Sequence, residues 1–132
     1  MTNPYIKDWT KEEIEEFLLT EELSYQQIDL GHGLTTTGES RSETFNAIFG
    51  HDLRGASVLD VGSYLGKFCL EAKSRGAGRV VGWEVDSDRI RQARTIAEIC
   101  KKDVSYEQRD IETVEIGDQQ FDLVLCLNLL HH

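Results

Sequence analysis

The stretch VLDVGSYLG, residues 58–66, decides the fold of this chain. Its mostly apolar run, which contains Asp60, ends at Gly62, where glycine lets a strand turn sharply because it adopts positive φ without steric cost. Gly66 follows after three further residues, and the residues beyond it have helical spacing. The stretch therefore predicts a buried strand, a tight loop and a helix that begins close to the sheet.

The rest of the chain alternates between strand-like and helix-like patterns. Apolar residues at helical spacing follow the first two strand-like runs. Strands that alternate with helices imply right-handed crossovers and a parallel sheet with helices on both faces, which is the α/β class. The predicted strands are SVLDVG (57–62), RVVGWEV (79–85), VSYEQR (104–109) and FDLVLCLN (121–128).

The residues before the first of these strands predict an N-terminal helical cover. Thr10 and Glu13 have the spacing of a capping box and predict a helix over about residues 10–20. A second pair with the same spacing, Ser40 and Glu43, predicts a helix over about residues 41–50.

A glycine- and threonine-rich segment, GHGLTTTGES (31–40), lies between these two helices and predicts a loop. It is either a connector or a lid that forms part of a site wall. We divide the chain into N-terminal helices and cover loop, residues 1–54, and an α/β core, residues 55–132.

Composition narrows the class of protein. The 132 residues predict one hydrophobic core, and the net charge of −10 disfavours a nucleic-acid surface in this segment without excluding one. No run is apolar enough to span a membrane and no secretory signal is visible, so we expect a cytoplasmic protein. The spacing of the three cysteines predicts neither a disulfide framework nor a metal site, and we interpret them as small core residues: Cys69, Cys100 and Cys126.

The loop and the following strand together indicate the class of ligand. A dinucleotide fingerprint starting at Gly62 would need glycines where the chain has Tyr64 and Lys67, which argues against NAD. Glu84 closes the second strand about 20 residues later, where an acid accepts hydrogen bonds from the ribose hydroxyls of a nucleoside. Asp86 is the alternative ribose acceptor, or else the cap of the next helix.

Four segments, taken in order and at this spacing, resemble the class I S-adenosylmethionine-dependent methyltransferases over about residues 55–132. They are VLDVGSYLG, VVGWEVD, QRDIE and FDLVLCLNLLHH. The segment IDLGHGLTTTG, together with GSYLGKFCLEAKSRGAGRVVGWEVD, resembles the branch related to tRNA wobble-uridine (mo5U34) methyltransferases. The resemblance implies a Rossmann-like methyltransferase fold and S-adenosylmethionine as cofactor.

The resemblance also implies roles for individual residues. The loop after the first strand would surround the methionine part of the cofactor, while Glu84 binds the ribose and Val85 packs against adenine. Asp110 would accept from the exocyclic amine, the backbone of Ile111 would contact the ring edge, and Asn128 would lie near the transferable methyl. Asp110 as a turn residue and Asn128 as a strand terminator are the structural alternatives. The implied cofactor-binding residues are Asp60, Gly62, Ser63, Tyr64, Gly66, Glu84, Val85, Asp110, Ile111 and Asn128.

Tyr64 departs from the commoner loop of this family, which has a glycine at that position. Its ring either faces the cationic sulfur of the cofactor, where a cation–π contact would be favourable, or packs away from it.

The reaction implied is an in-line attack on the activated methyl by a nucleophile of the acceptor, which is a small molecule or a tRNA base. The protein aligns the reactants, and a base is needed only if the acceptor must lose a proton. His132 is a catalytic candidate by position alone.

The resemblance implies that a full domain continues beyond the fourth strand, so this chain would be the N-terminal half of one, with the C-terminal strands missing. The family's strand order, 3-2-1-4, would leave the fourth strand as an exposed apolar edge, which predicts self-association. The alternative function is a non-catalytic cofactor-binding or assembly module built on a truncated methyltransferase fold.

Overall fold

The computed structural model describes residues 7–24, 26–38, 47, 52–110 and 121–126. Within these ranges, a four-stranded sheet, a two-stranded hairpin and three helices form the fold. The strands are β1 (Asp29–Gly31), β2 (Leu34–Thr35), β3 (Ser57–Val61), β4 (Arg79–Glu84), β5 (Ser105–Gln108) and β6 (Leu123–Leu125). The helices are α1 (Lys11–Thr20), α2 (Lys67–Ser74) and α3 (Ser87–Cys100).

The four-stranded sheet is parallel and has the order β5-β4-β3-β6. The chain moves outward from β3 to β5 and then returns to the other side of β3, so the strand order reverses between β3 and β6. This confirms the predicted order, and ligands of parallel α/β sheets bind near such a reversal. The loop that follows β3 stands at that point.

Both α2 and α3 pack on one face of the sheet. Their apolar residues and Val58, Val80 and Tyr106 of the strands belong to one buried cluster. The predicted helical faces are confirmed, since Phe68 and Ala93 are fully buried. The other face of the sheet is buried too, and Phe121 packs against its four buried side chains, which are Leu59, Val61, Val81 and Trp83.

Helix α1 begins as the capping box predicts. The Thr10 hydroxyl accepts from the Glu13 N–H at 3.2 Å, and the Glu13 carboxylate accepts from the Thr10 N–H at 3.1 Å. Ile14 and Phe17 join the same buried cluster as β3 and β4. The N-terminal residues therefore share a core with the sheet, and the division of the chain at residue 54 stays a prediction.

The segment predicted as a loop over 31–40 contains part of a β-hairpin, so that prediction was incomplete. The antiparallel strands β1 and β2 are joined by His32 and Gly33, both with positive φ, at 55° and 74°. Two-residue turns of this kind match the twist of a hairpin. The strands were missed because they are too short for a period of two to show.

Hydrogen bonds between Ser57, the first residue of β3, and Asp122, the residue before β6, hold the two strands together. The Ser57 N–H donates to Asp122 Oδ2 at 2.8 Å, and the Asp122 N–H donates to Ser57 Oγ at 2.9 Å. Cys126, just after β6, is exposed, which corrects its interpretation as a core residue, whereas Cys69 is buried as expected. The predicted helix 41–50, apart from residue 47, and the last two residues of the predicted strand 121–128 lie outside the described residues.

Among the described residues, none of the helices combines the length and the apolar character that crossing a membrane requires.

Candidate functional site

The loop between β3 and α2 is tied to the end of β4. The backbone N–H groups of Gly62 and Ser63 both donate to the Trp83 carbonyl, at 2.8 and 3.0 Å, and the Gly66 N–H donates to the Ser63 carbonyl at 2.9 Å. Gly62 and Gly66 have φ of 78° and 90°, which confirms why glycine is needed at both positions. The loop is therefore a fixed turn at the carboxyl edge of the sheet.

The Tyr106 side chain explains why glycine is needed at positions 66 and 82. A Cβ atom on Gly66 would lie 2.0 Å from the Tyr106 hydroxyl oxygen, and one on Gly82 would lie 2.7 Å from both Tyr106 Cδ1 and Ser63 Oγ. Tyr106 thus crosses the face of β4 and fills the space beneath the loop. Sequence reasoning missed this residue, although a glycine inside an apolar strand signals such a close approach.

Asp60 lies beneath the same loop and is fully buried. Neither of its carboxyl oxygens has a hydrogen-bond partner among the described residues. Burial, with a smaller contribution from the nearby Glu84 carboxylate, raises the pKa of Asp60 to about 8. Asp60 therefore keeps its proton at neutral pH unless a cation comes close to it.

Glu84, at the tip of β4, organises the site through three backbone N–H groups. Its Oε1 accepts from the Tyr64 N–H at 2.9 Å, and its Oε2 accepts from the N–H groups of Val85 and Asp86 at 2.9 and 3.0 Å. A carboxylate has about four acceptor positions. Counting the contacts of the described residues, one position stays open, and binding both ribose hydroxyls would require one of the three backbone bonds to give way.

The neighbours of Glu84 separate its role from that of Asp86. The Asp86 carboxylate accepts from the Asp88 N–H at 2.9 Å and the Arg89 N–H at 3.4 Å, and it caps α3. Of the two alternatives for Asp86, the helix cap is the one that the structure shows. Val85 leaves 53% of its surface exposed beside Glu84, which is unusual for an apolar residue and suits a flat apolar ligand.

Residues at the end of β5 contact the end of β4 and the residue that follows it. The Arg109 N–H donates to the Glu84 carbonyl at 3.0 Å, and Gln108 Nε2 donates to the Val85 carbonyl at 3.0 Å. Asp110, the next residue, is exposed. Two of the residues implied by the resemblance, Ile111 and Asn128, lie outside the described residues, and so does the catalytic candidate His132.

The Tyr64 side chain packs away from open solvent. Its ring is half-buried against the core cluster, and the guanidinium carbon of Arg89 lies 4.9 Å from the ring centroid. Tyr64 also has a φ of 56°, a left-handed conformation that a residue with a side chain rarely adopts. The ring therefore packs against the core cluster and has Arg89 as a cation–π partner. Its orientation toward the sulfur of a bound cofactor stays a prediction.

The beginning of α2 is covered by the N-terminal segment. The Lys67 N–H donates to Gln26 Oε1 at 3.3 Å, and Lys67 Nζ donates to the Gln27 carbonyl. Gln26 is fully buried. The sequence did not indicate this contact, because the two residues are 41 positions apart and neither belongs to a local pattern.

The polar groups of the site favour some ligands over others. Gln26 already accepts from the first amide of α2, the N–H of Lys67. A pyrophosphate binds where the N–H groups of a helix N-terminus are free to donate. The arrangement suits a ribose, a flat apolar ring and a cationic group, and it fits a dinucleotide poorly.

Comparisons with known proteins identify the family of this chain. Residues 58–132 match the methyltransferase domain family. A tRNA U34 carboxymethyltransferase of Sulfurovum sp. (strain NBC37-1) is 30% identical over 81 residues, which are 61% of this chain and 27% of that protein. A ubiquinone biosynthesis O-methyltransferase of Coxiella burnetii is 34% identical over 80 residues, 61% of this chain and 34% of that protein.

A solved structure extends the likeness across the chain. The N-terminal domain of EvdMO1, solved with S-adenosylhomocysteine bound, superposes with a TM-score of 0.76 at 21% identity and covers 95% of this chain and 57% of that one. At this identity the likeness concerns the fold. The matched region spans about a third of the length of the curated relatives.

Proposed function

Because the chain belongs to the methyltransferase domain family, we propose that the carboxyl edge of its sheet binds S-adenosylmethionine and serves methyl transfer. The observation that carries the proposal is the position of Glu84. Its carboxylate stands at the tip of β4 beside the exposed Val85 and is bonded to the loop through the Tyr64 N–H. An acid and an apolar surface at this point suit the ribose and adenine of one nucleoside.

The residues fit the charge of this cofactor. S-adenosylmethionine carries a sulfonium and an ammonium group, and a cation near Asp60 would lower its raised pKa and so stabilise its ionised form. The loop from Gly62 to Gly66 would surround the methionine part. We further propose the ribose for Glu84, adenine for Val85, and the adenine amine and ring edge for Asp110 and Ile111, with Asn128 near the methyl.

The cofactor supplies a methyl activated by the positive sulfur, which leaves as a neutral thioether when a nucleophile of the acceptor attacks in line. The chain's part is to hold the cofactor at a fixed distance and angle from the acceptor. His132 stays a proposed base for an acceptor that must lose a proton.

The acceptor is proposed only as a class, a small molecule or a tRNA base. The two curated relatives are named for different acceptors and for different transferred groups. The net charge of −10 favours a small molecule for this segment, since RNA binding calls for a basic surface. We also propose a cytoplasmic location, because all three cysteines are free thiols, as is usual in a reducing compartment.

A non-catalytic cofactor-binding or assembly module is the second candidate function. The described residues are assigned here to the cofactor, and none of them is assigned to an acceptor. Cofactor binding without transfer would distinguish this function from the first.

Calorimetric titration with S-adenosylhomocysteine tests the proposal, with NAD as the competing ligand. We expect saturable binding of S-adenosylhomocysteine, none of NAD, and at least a tenfold loss of affinity in Glu84→Ala. Asp88→Ala is the matched control, since that carboxylate lies nearby but is exposed and touches neither the loop nor Glu84 in the contacts described. Binding of NAD alone would overturn the proposal.

Transfer itself is tested with S-adenosylmethionine labelled in its methyl group. Bulk tRNA and hydroxylated small molecules represent the two acceptor classes. Methyl label in the tRNA or in the small-molecule fraction would identify the acceptor class. Binding of the cofactor without label in either fraction would favour the non-catalytic module.

A further inference from the structure

Arg89 joins three parts of the molecule that are distant in sequence. Its guanidinium carbon lies 4.9 Å from the ring centroid of Tyr64, in the loop after β3. Its Nη1 donates to the Glu22 carbonyl at 2.7 Å and to Gln92 Oε1 at 2.7 Å. One side chain of α3 therefore contacts the proposed cofactor loop and the segment that follows α1.

The contacts continue through Gln92, which is buried. Gln92 Nε2 donates to Glu21 Oε2 at 2.9 Å, so the Glu21 carboxylate, the Gln92 amide and the Arg89 guanidinium form one hydrogen-bonded series. The guanidinium of Arg89, at one end of this series, lies over the Tyr64 ring. The N-terminal segment and the loop therefore share one supporting side chain, Arg89.

Tyr64 needs external support to keep its conformation. Its φ of 56° lies in the left-handed region, which is unfavourable for a residue with a side chain. The Glu84 carboxylate holds its backbone, and Arg89 lies over its ring. Losing the ring contact would let the residue relax and would shift the amide that Glu84 accepts from.

We propose that Arg89 is a positioning residue for the cofactor site, which acts through the Tyr64 ring and also contacts the segment that follows α1 at Glu22. The proposal rests on the proposed function, because the ligand of the loop is taken to be S-adenosylmethionine. Arg89 itself touches no reacting group in this assignment. Its effect on the cofactor is transmitted by Tyr64 and Glu84.

Arg91 provides a matched control on the same helix. Its Nη1 and Nη2 contact Glu21 at 2.5 and 3.1 Å, so it binds the same N-terminal segment as Arg89. Its described contacts do not include Tyr64. Removing Arg91 weakens the attachment of the segment, and removing Arg89 also releases the ring.

The first test is the affinity for S-adenosylhomocysteine. We expect Arg89→Ala to weaken binding about three- to tenfold, in the range of a cation–π contact, with Arg91→Ala within about twofold of the unchanged chain and Arg89→Lys in between. In a Tyr64→Leu background, Arg89→Ala should cost nothing further, because the ring through which it acts is gone. Circular dichroism confirms that each variant is folded.

The second test needs no ligand. Amide hydrogen exchange of the ligand-free chain should speed up in peptides covering residues 62–66 for Arg89→Ala and stay unchanged there for Arg91→Ala. Exchange near residues 21–24 should rise in both variants.

The outcomes are distinguishable from a failure of the proposed function. Faster loop exchange in Arg89→Ala alone supports the positioning role even if S-adenosylhomocysteine does not bind. Equal effects of the two substitutions on the loop, or an undiminished effect of Arg89→Ala in the Tyr64→Leu background, would overturn it.

Discussion

The backbone N–H of Tyr64 donates to Glu84 Oε1 at 2.9 Å, which joins the loop after β3 to the tip of β4. The same carboxylate accepts from Val85 and Asp86. A single buried side chain thus fixes the two backbone segments that border the proposed cofactor site.

Glu84→Ala should lower the free energy of unfolding by about 2–3 kcal/mol, because three backbone N–H groups lose a charged acceptor. Glu84→Gln keeps an acceptor oxygen and should lose less. Urea unfolding measures both, with Asp88→Ala as control for the loss of an exposed carboxylate. Equal stability of Glu84→Ala and the control would contradict this role.

Asp60 should make the fold less stable as pH rises. The pKa of Asp60 is raised from 3.8 to about 8, so between these values the native state binds a proton that the unfolded chain has lost. The free energy of unfolding should therefore fall by about 1.4 kcal/mol per pH unit between pH 3.8 and about 8.

Asp60→Asn removes this dependence, because the amide stays neutral at every pH. Urea unfolding at pH 5, 6.5 and 8 measures the free energy of unfolding of both chains. The value for the variant should increase relative to that of the unchanged chain as pH rises. Parallel curves for the two chains would mean that Asp60 is ionised or well solvated in the native state.

Gly82→Ala should destabilise the chain by about 1–3 kcal/mol, because its Cβ would lie 2.7 Å from both Ser63 Oγ and Tyr106 Cδ1. Thermal unfolding measures the loss. Gly78→Ala is the matched control, since its Cβ comes no closer than 3.4 Å to the Gly55 carbonyl oxygen.

A smaller side chain at position 106 should relieve this overpacking. Gly82→Ala should cost less in a Tyr106→Val background than in the unchanged chain. Additive losses would show that the two residues do not compete for the same space.

Self-association through β6 stays a prediction. Among the described residues β6 pairs only with β3, and Val124 leaves 40% of its surface exposed. Val124→Lys should lower the average mass measured by light scattering at high concentration, because a charge on an edge strand opposes pairing with another strand. Leu19→Lys is the control, since Leu19 is exposed but lies on α1. A monomer at every concentration would refute the prediction.

Local patterns were sufficient to predict the parallel sheet. The run around Asp60, the strand ending at Glu84 and the capping box of Thr10 each depend on neighbours within a few residues, which sequence displays directly. The hairpin from Asp29 to Thr35 was missed because its two strands are too short to show a period.

The supports of the site could not be predicted in the same way. Gln26 contacts Lys67 and Arg89 contacts Tyr64 only after the chain has folded, and neither pair has a local spacing that favours it. The sequence indicated where a cofactor would bind, while the residues that hold the loop in place depend on tertiary packing.

The most direct test of the cofactor site is an amide chemical-shift titration of the chain, whose mass of 15.0 kDa suits solution NMR. S-adenosylhomocysteine should shift the amide signals of Tyr64, Val85 and Asp86 most, because all three donate to Glu84 and a ribose must share that carboxylate. Saturating shifts centred on these amides are the predicted result. Unchanged signals at these positions, with binding elsewhere or none, would contradict the account.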